Sequence, residues 1–487
     1  MRSFRALFPL LGLILALPQV ANASEVTRVA SSFEEDNPFD LHFGVAYDYE
    51  FKRASLLREW SRTNGSNRLA KDLIYQRNRQ TVTPRIEIGL FHDLSVYVDL
   101  PVVVSDDRNY SFDQNEPCVY PDALGSATGE RTATCVNKYN SSTIRDAIVP
   151  RDGFDALNKT NPYRQFTGED TRLIFRGPTR RGIDQLHVGI KKGLMNQGSQ
   201  PHLPNWVIGV EGRFAVGQAM QFTRDIGIDT SGTAANEVVG RGVHELGAWT
   251  SLSHRHRFLE PFFGAHWRQS IRASGSQFVR YRGAVDKVNP MSTAGFFVGS
   301  EVVPWERRAS KQKVAFSFAG SANLRYGGRE YSELWEILSD SPALVGTYRP
   351  ATEECNEAAS LAYAKDYPTD AVGYIESANQ GGGGCQKFNG ITTVQNYARF
   401  AMRLSLNFHL SAYARLMLGL NLGTSTRHFL SAADRGDPEI AGDSDVVDAD
   451  SADVNPYRRD VIDNVGRRYA IDDEVDAVGF ARFWLTF

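Results

Sequence analysis

The side chains best suited to chemistry in this chain are ionisable groups that recur at every second position of short segments. Arg85 with Glu87, Glu211 with Arg213, and Arg399 with Arg403 each hold the polar parity of one segment. Asp48, Glu50, Asp99, Lys191, Glu245, Glu260, Arg268, Glu301, Arg325, Arg415 and Arg482 hold it in others. On extended strands this spacing sends them to one face of a sheet. An Arg or Lys set against lipid costs roughly 2 to 4 kcal/mol at mid-membrane, so in a closed sheet these groups belong inside. Arg85, Glu87, Glu211, Arg213, Glu260, Arg268, Glu301, Arg399, Arg403 and Arg415 are therefore candidate pore-lining residues. Arg399, Arg403 and Arg415 make a basic ladder that would favour anionic solutes. The alternative is that acids and bases pair across the interior and fill it, and both readings stay open.

Four cysteines, Cys118, Cys135, Cys355 and Cys385, fall as neighbouring pairs within two long interstrand segments. In an oxidising compartment the expected disulfides are Cys118 to Cys135 and Cys355 to Cys385, with other pairings possible. The first would remove chain entropy worth about 3 kcal/mol. No His lies at ligand spacing in either segment, so neither a metal centre nor a catalytic thiol is expected. The stretch 425–468 carries Asp434, Asp437, Glu439, Asp443, Asp445, Asp448, Asp450 and Asp453. Such oxygen ligands could bind calcium, but the spacing matches no defined calcium loop, and a solvated acidic loop is expected. Gly381 to Gly384 leads into Cys385-Gln386 rather than Lys-Ser/Thr, so it is not a phosphate cradle. His42, His187 and His266 have the polar parity, and no Gly-x-Ser-x-Gly elbow occurs. Neither an enzyme nor a cofactor is expected.

The elements that position these groups begin after residue 40. Arg2 and Arg5, an apolar run from Ala6 to Leu17 and Ala21-Asn22-Ala23 have the layout of a secretory signal peptide, 1–23, cleaved before Ser24. A segment 24–40 is expected to remain in the periplasm. Lys and Arg number 54 against 57 Asp and Glu, a net charge of -3 without the basic field that nucleic acid requires. Past the signal no apolar run is long enough to span a membrane as a helix.

Period-2 alternation recurs instead. Leu41, Phe43, Val45, Tyr47, Tyr49 and Phe51 oppose His42, Gly44, Ala46, Asp48 and Glu50. Further strands are expected at 82–90, 94–102, 186–191, 206–216, 242–252, 259–268, 294–302, 314–324, 398–408, 414–422 and 476–487. The strand at 242–252 is the weakest, because both its faces are mixed. About twelve strands result, an even number as single-chain bacterial barrels have. Every second connection is short (91–93, 196–205, 253–257, 305–312, 409–411), and the intervening ones run from roughly twenty to eighty residues. Pro84 and Pro261 are expected near strand beginnings, where no N–H is missed.

Two stretches carry family resemblances. The strand ending Phe483-Trp484-Leu485-Thr486-Phe487 resembles the closing strand of bacterial outer-membrane barrels, whose C-terminal Phe, here Phe487, the barrel-assembly machinery reads. Gly89-Leu90-Phe91-His92-Asp93-Leu94-Ser95-Val96-Tyr97-Val98-Asp99-Leu100-Pro101 resembles a hairpin of the outer-membrane family named after the meta-pathway of phenol degradation. Arg181-Gly182-Ile183-Asp184 is similar in part to that family's Gly-x-Gly-Asp strand opening. The resemblance implies a barrel that passes small, often hydrophobic, compounds.

The resulting expectation is an all-β chain whose residues 41–487 form an antiparallel transmembrane β-barrel of the cell outer membrane. Its turns would be short in the periplasm and its loops long outside. It would contact outer-membrane lipid and the assembly machinery and admit a small-molecule solute, with the oligomeric state open. Alternatives are an adhesion or structural barrel acting through its loops, and an outer-membrane lipase-type enzyme.

Overall fold

The computed structural model describes residues 24–33, 39–61, 67–112, 136–138, 140–166, 172–224, 236–278, 289–344, 388–434 and 457–487. Twelve antiparallel strands close into one barrel. They are β1 (Leu41–Ser61), β2 (Asn67–Phe91), β3 (Leu94–Asp99 continued by Val102–Ser111) and β4 (Leu173–Arg176, Arg180–Ile183 and Gln185–Met195). Next come β5 (Asn205–Ala215), β6 (Val243–Ser253), β7 (Leu259–Arg272) and β8 (Ser292–Arg307). The barrel is completed by β9 (Gln312–Tyr326), β10 (Tyr397–His409), β11 (Ala414–Ser425) and β12 (Tyr469–Thr486).

Closure falls between the first and last strands, with His42 opposite Thr486, Asp48 opposite Phe480 and Arg58 opposite Tyr469. Phe487 exchanges two backbone hydrogen bonds with Leu41, at 2.8 and 3.1 Å. The register puts every apolar row outside. Phe43, Val45, Ile86, Ile190, Val210, Phe296, Phe316, Phe400 and Leu418 are exposed, while Glu87, Lys191, Glu245, Glu260, Glu301 and Arg415 are buried inside. A continuous apolar belt around a charged interior is stable only with lipid outside, so the barrel spans a membrane. No helix among the described residues is long and apolar enough to cross one, which says nothing of the strands.

Three details depart from the sequence expectation. Residues 52–61 and 67–81, expected within a long loop, are strand, so β1 and β2 reach 21 and 25 residues. Both of their faces are covered there, with Ala54, Leu56, Leu57, Leu73, Ile74 and Tyr75 all buried, so the alternation disappears while the hydrogen-bond ladder continues. Pro84 consequently lies deep inside β2 rather than near its beginning. It is tolerated because β3 breaks opposite it at Leu100-Pro101, and Leu100 N–H donates to the Pro84 carbonyl at 3.1 Å. The mixed faces of β6 arise because Trp249 points inward, over Gly209 of β5.

At the long-loop end the tall strands support a buried apolar core. Tyr110, Ile148, Phe154, Phe175, Phe222, Leu334, Trp335, Ile337, Leu338, Ile391 and Ile471 pack together there as a cap.

Candidate functional site: the charged interior and its two closures

Inside the barrel the charges form four networks. Arg85 bridges Asp99 and Glu87, each at 3.3 Å, with its guanidinium 4.2 Å above the Tyr97 ring. Glu87 also takes Lys191 Nζ at 2.8 Å and Ser95 Oγ at 3.0 Å. In the next network Glu211 accepts from Tyr97 Oη and from Arg213 Nε, both at 2.6 Å. Arg213 and Arg268 then share Glu245 at 3.6 and 3.4 Å. The third pairs Glu301 with Lys313 at 2.8 Å and with Asn407 Nδ2 at 3.0 Å, beside Glu260 on the neighbouring strand. In the fourth, Arg399 pairs with Asp476, and Lys52 holds Glu474 at 3.2 Å and Glu333 at 2.6 Å.

The basic ladder is thereby divided. Arg399 is paired with Asp476, and Arg415 with Glu25 at 2.8 Å. Arg403 and Arg482 have no carboxylate within ion-pair distance among the described residues. Instead both guanidiniums lie against Phe480, at 4.6 and 4.9 Å from the ring centroid.

Aromatic side chains fill much of the remaining width, each lying across a glycine of the adjacent strand. Tyr97 covers Gly189, Trp249 covers Gly209, Phe297 covers Gly264, Phe480 covers Gly419 and Trp484 covers Gly44. A Cβ at any of these glycines would collide with the ring, so the inward Gly rows are seats for aromatics.

The short-turn end is closed from within. Residues 24–32 cross the lumen, held mostly through backbone groups: Ala30 N–H donates to Glu87 Oε1 at 2.9 Å, and Val26 and Arg28 carbonyls accept from Ser251 Oγ at 2.7 Å and Lys191 Nζ at 2.6 Å. Ser32 Oγ donates to the Gly89 carbonyl at 2.8 Å. Above this segment remains a polar chamber of about 310 Å³, lined among others by Arg28, Asp48, Arg85, Glu87, Asp99, Lys191, Arg415, Arg482 and Trp484. The cap lies at the other end. Its helix Trp335–Leu338 sends Glu336 to Arg180 Nε at 3.0 Å, both fully buried, and Tyr110 Oη of β3 donates to the Glu333 carbonyl just before that helix at 2.7 Å. Within the cap, burial pushes the Asp463 carboxyl up to about 6 against the backbone N–H groups of Arg459 and Ala433 that favour its charge.

All ten pore-lining candidates therefore point inward, nine of them into polar or ionic contacts and Arg403 against Phe480 and Met417. Lys52, Glu474 and Asp476 were missed, although they continue the inward parities of Glu50 and Arg482 and could have been found by extending those rows. Glu333 and the lumenal 24–32 segment offer no periodic signal. Among the described residues no three His, Asp or Glu side chains gather as a ligand set for a metal. Residues 1–23, the four cysteines, the tetraglycine and the acidic run from Asp437 to Asp453 lie outside the described residues.

Fold and interior define a membrane-spanning β-barrel with a charged lumen that residues 24–32 cross. No protein-family model and no curated protein matches the sequence. Among solved structures the chain is similar to the COG4313 outer membrane channel from Pseudomonas putida F1, at 7% identity and a TM-score of 0.38 over 96% of this chain and 100% of that one. A FadL homologue of Pseudomonas aeruginosa matches at 6% identity and a TM-score of 0.29, over 92% of this chain and 90% of that one. The outer membrane protease OmpT from Escherichia coli matches at 8% identity and a TM-score of 0.25, over 93% of this chain and 99% of that one.

Proposed function

We propose that this chain is an outer-membrane channel that admits small solutes passively, with its short turns in the periplasm and its long loops outside. The observation that carries the reading is the polar chamber of about 310 Å³ left open in the lumen. It is bounded on the short-turn side not by barrel wall but by a chain segment whose backbone groups are held by individual hydrogen bonds from wall side chains. A barrel built only for support gains nothing from such a space, because unfilled polar volume forfeits packing. The phenol-pathway-like hairpin at Gly89 to Pro101 favours aromatic solutes, and Arg482 on the chamber wall, without an ion-pair partner among the described residues, favours those that carry a negative charge. On this reading 1–23 directs export, Phe487 is read during assembly, and Cys118–Cys135 and Cys355–Cys385 are the disulfides. Planar-bilayer recording and liposome swelling test it: conductance that changes with added benzoate supports the channel, and neither conductance nor swelling with any solute refutes it.

A further inference from the structure

Glu260, on β7, is fully buried, and its neighbour across the strand pair on β8 is a second buried carboxylate, Glu301. Lys313 answers the charge of Glu301 at 2.8 Å. Nothing equivalent answers Glu260: among the described residues no Lys, Arg or His side chain lies within ion-pair distance of it. Its Oε1 accepts from Ser253 Oγ at 2.7 Å and from the backbone nitrogen of Ser24 at 2.6 Å, and its Oε2 is buried with no hydrogen-bond partner. Two buried carboxylates with one cation leave an uncompensated charge, which is costly away from water.

The missing cation is supplied by the group already touching Glu260, if that nitrogen is a chain terminus. Ser24 is the first residue after the Ala21-Asn22-Ala23 cleavage pattern. Hydrolysis of the Ala23–Ser24 bond by a signal peptidase adds water across it. The Ala23 carboxylate leaves with the released peptide, and Ser24 keeps a free amine, which is largely an ammonium at neutral pH. A peptide N–H offers Glu260 one hydrogen and no charge. An ammonium offers three hydrogens, enough for both carboxylate oxygens, and brings the local charge to two anions and two cations.

We propose that Glu260 is a built site for the chain's own new α-ammonium, so that export processing itself creates the ion pair that locks residues 24–32 across the lumen. Ser24 is buried, as this requires, and Thr27 Oγ1 bonds Ser253 Oγ at 2.7 Å, fixing the next turn of the segment against the same wall.

The test uses the full mature protein purified from the membrane. N-terminal sequencing should begin at Ser24. Acetic anhydride labelling at pH 8, read by mass spectrometry of the N-terminal peptide and normalised to the exposed Lys159, should modify the α-amine at least tenfold more slowly in the native wild type than in Glu260→Gln. Glu260→Asp, which keeps the charge but shortens its reach, should fall between them, and serves if the Gln variant does not assemble. A different mature terminus, or a wild-type α-amine that labels as fast as in either variant, overturns the proposal. Labelling reads the latch alone, so conductance measurements do not bear on its outcome.

Discussion

Replacing Arg482 with Gln should weaken the lumen's preference for anions, by an amount the chamber's size sets. The guanidinium lines the chamber together with Asp48, its Nε is buried without a hydrogen-bond partner, and among the described residues no carboxylate lies within ion-pair distance of it. A sphere of 310 Å³ has a radius of about 4 Å, which places the wall charge about 6 Å from a solute at its centre. Coulomb's law then gives about 0.7 kcal/mol for a monovalent anion in a water-like medium and about 3 kcal/mol at an effective dielectric of 20. Loss of the charge should therefore reduce anion preference by roughly three-fold to a hundred-fold. The assay is the reversal potential of single channels under a KCl gradient. The shift toward cations should be larger near 10 mM than near 1 M salt, where the screening length falls from about 30 to about 3 Å. Removing Arg399 together with Asp476 deletes a neutral pair and should leave the reversal potential in place. If Arg482→Gln leaves selectivity and its salt dependence unchanged, the chamber is not on the conduction path and the reasoning fails.

Lys313→Met should destabilise the barrel by about 3 to 5 kcal/mol in urea titrations, because it strands Glu301 beside Glu260, while adding Glu301→Gln should restore most of the loss. Gly209→Val would drive a side chain into Trp249 and should cost about 1 to 3 kcal/mol, seen as a lower temperature for the heat-modifiable band shift; an unchanged shift would mean that the aromatic is not seated there. For Asp463 the folded carboxyl titrates at about 6, above its unfolded value, so the protonated form stabilises the cap. That contribution is complete below pH 3.8 and lost as pH rises through about 6. Protection of the Asn464 to Arg467 amides, with the intrinsic pH dependence of exchange divided out, should thus be lower at pH 7 than at pH 5, with Asp463→Asn flattening the difference.

What the sequence made legible follows from what surrounds each strand. Where lipid lies on one side and charge on the other, as from Leu41 to Phe51, parity separates the two environments, and the strand and its inward residues can both be read. Beyond Phe51 the cap covers the outer side as well, both faces become apolar, and parity has nothing to separate. Parity also says which way an arginine points but not what meets it. Arg399 and Arg403 are two turns of the pleat apart on one face of β10, yet Arg399 reaches Asp476 across the intervening strand, whereas Arg403 meets Phe480. The difference is set two strands away, beyond any local pattern. The lumenal segment was hidden for a deeper reason. Its principal contacts use the Ser24 and Ala30 nitrogens and the Val26 and Arg28 carbonyls, groups that every residue possesses, so its own side chains need no periodicity. The readable trace lies on the wall instead, in the polar groups Glu87, Lys191, Ser251 and Glu260 that receive those backbone atoms. A lumen that carries more inward polar groups than its own ion pairs use is one that expects a piece of chain to fill it.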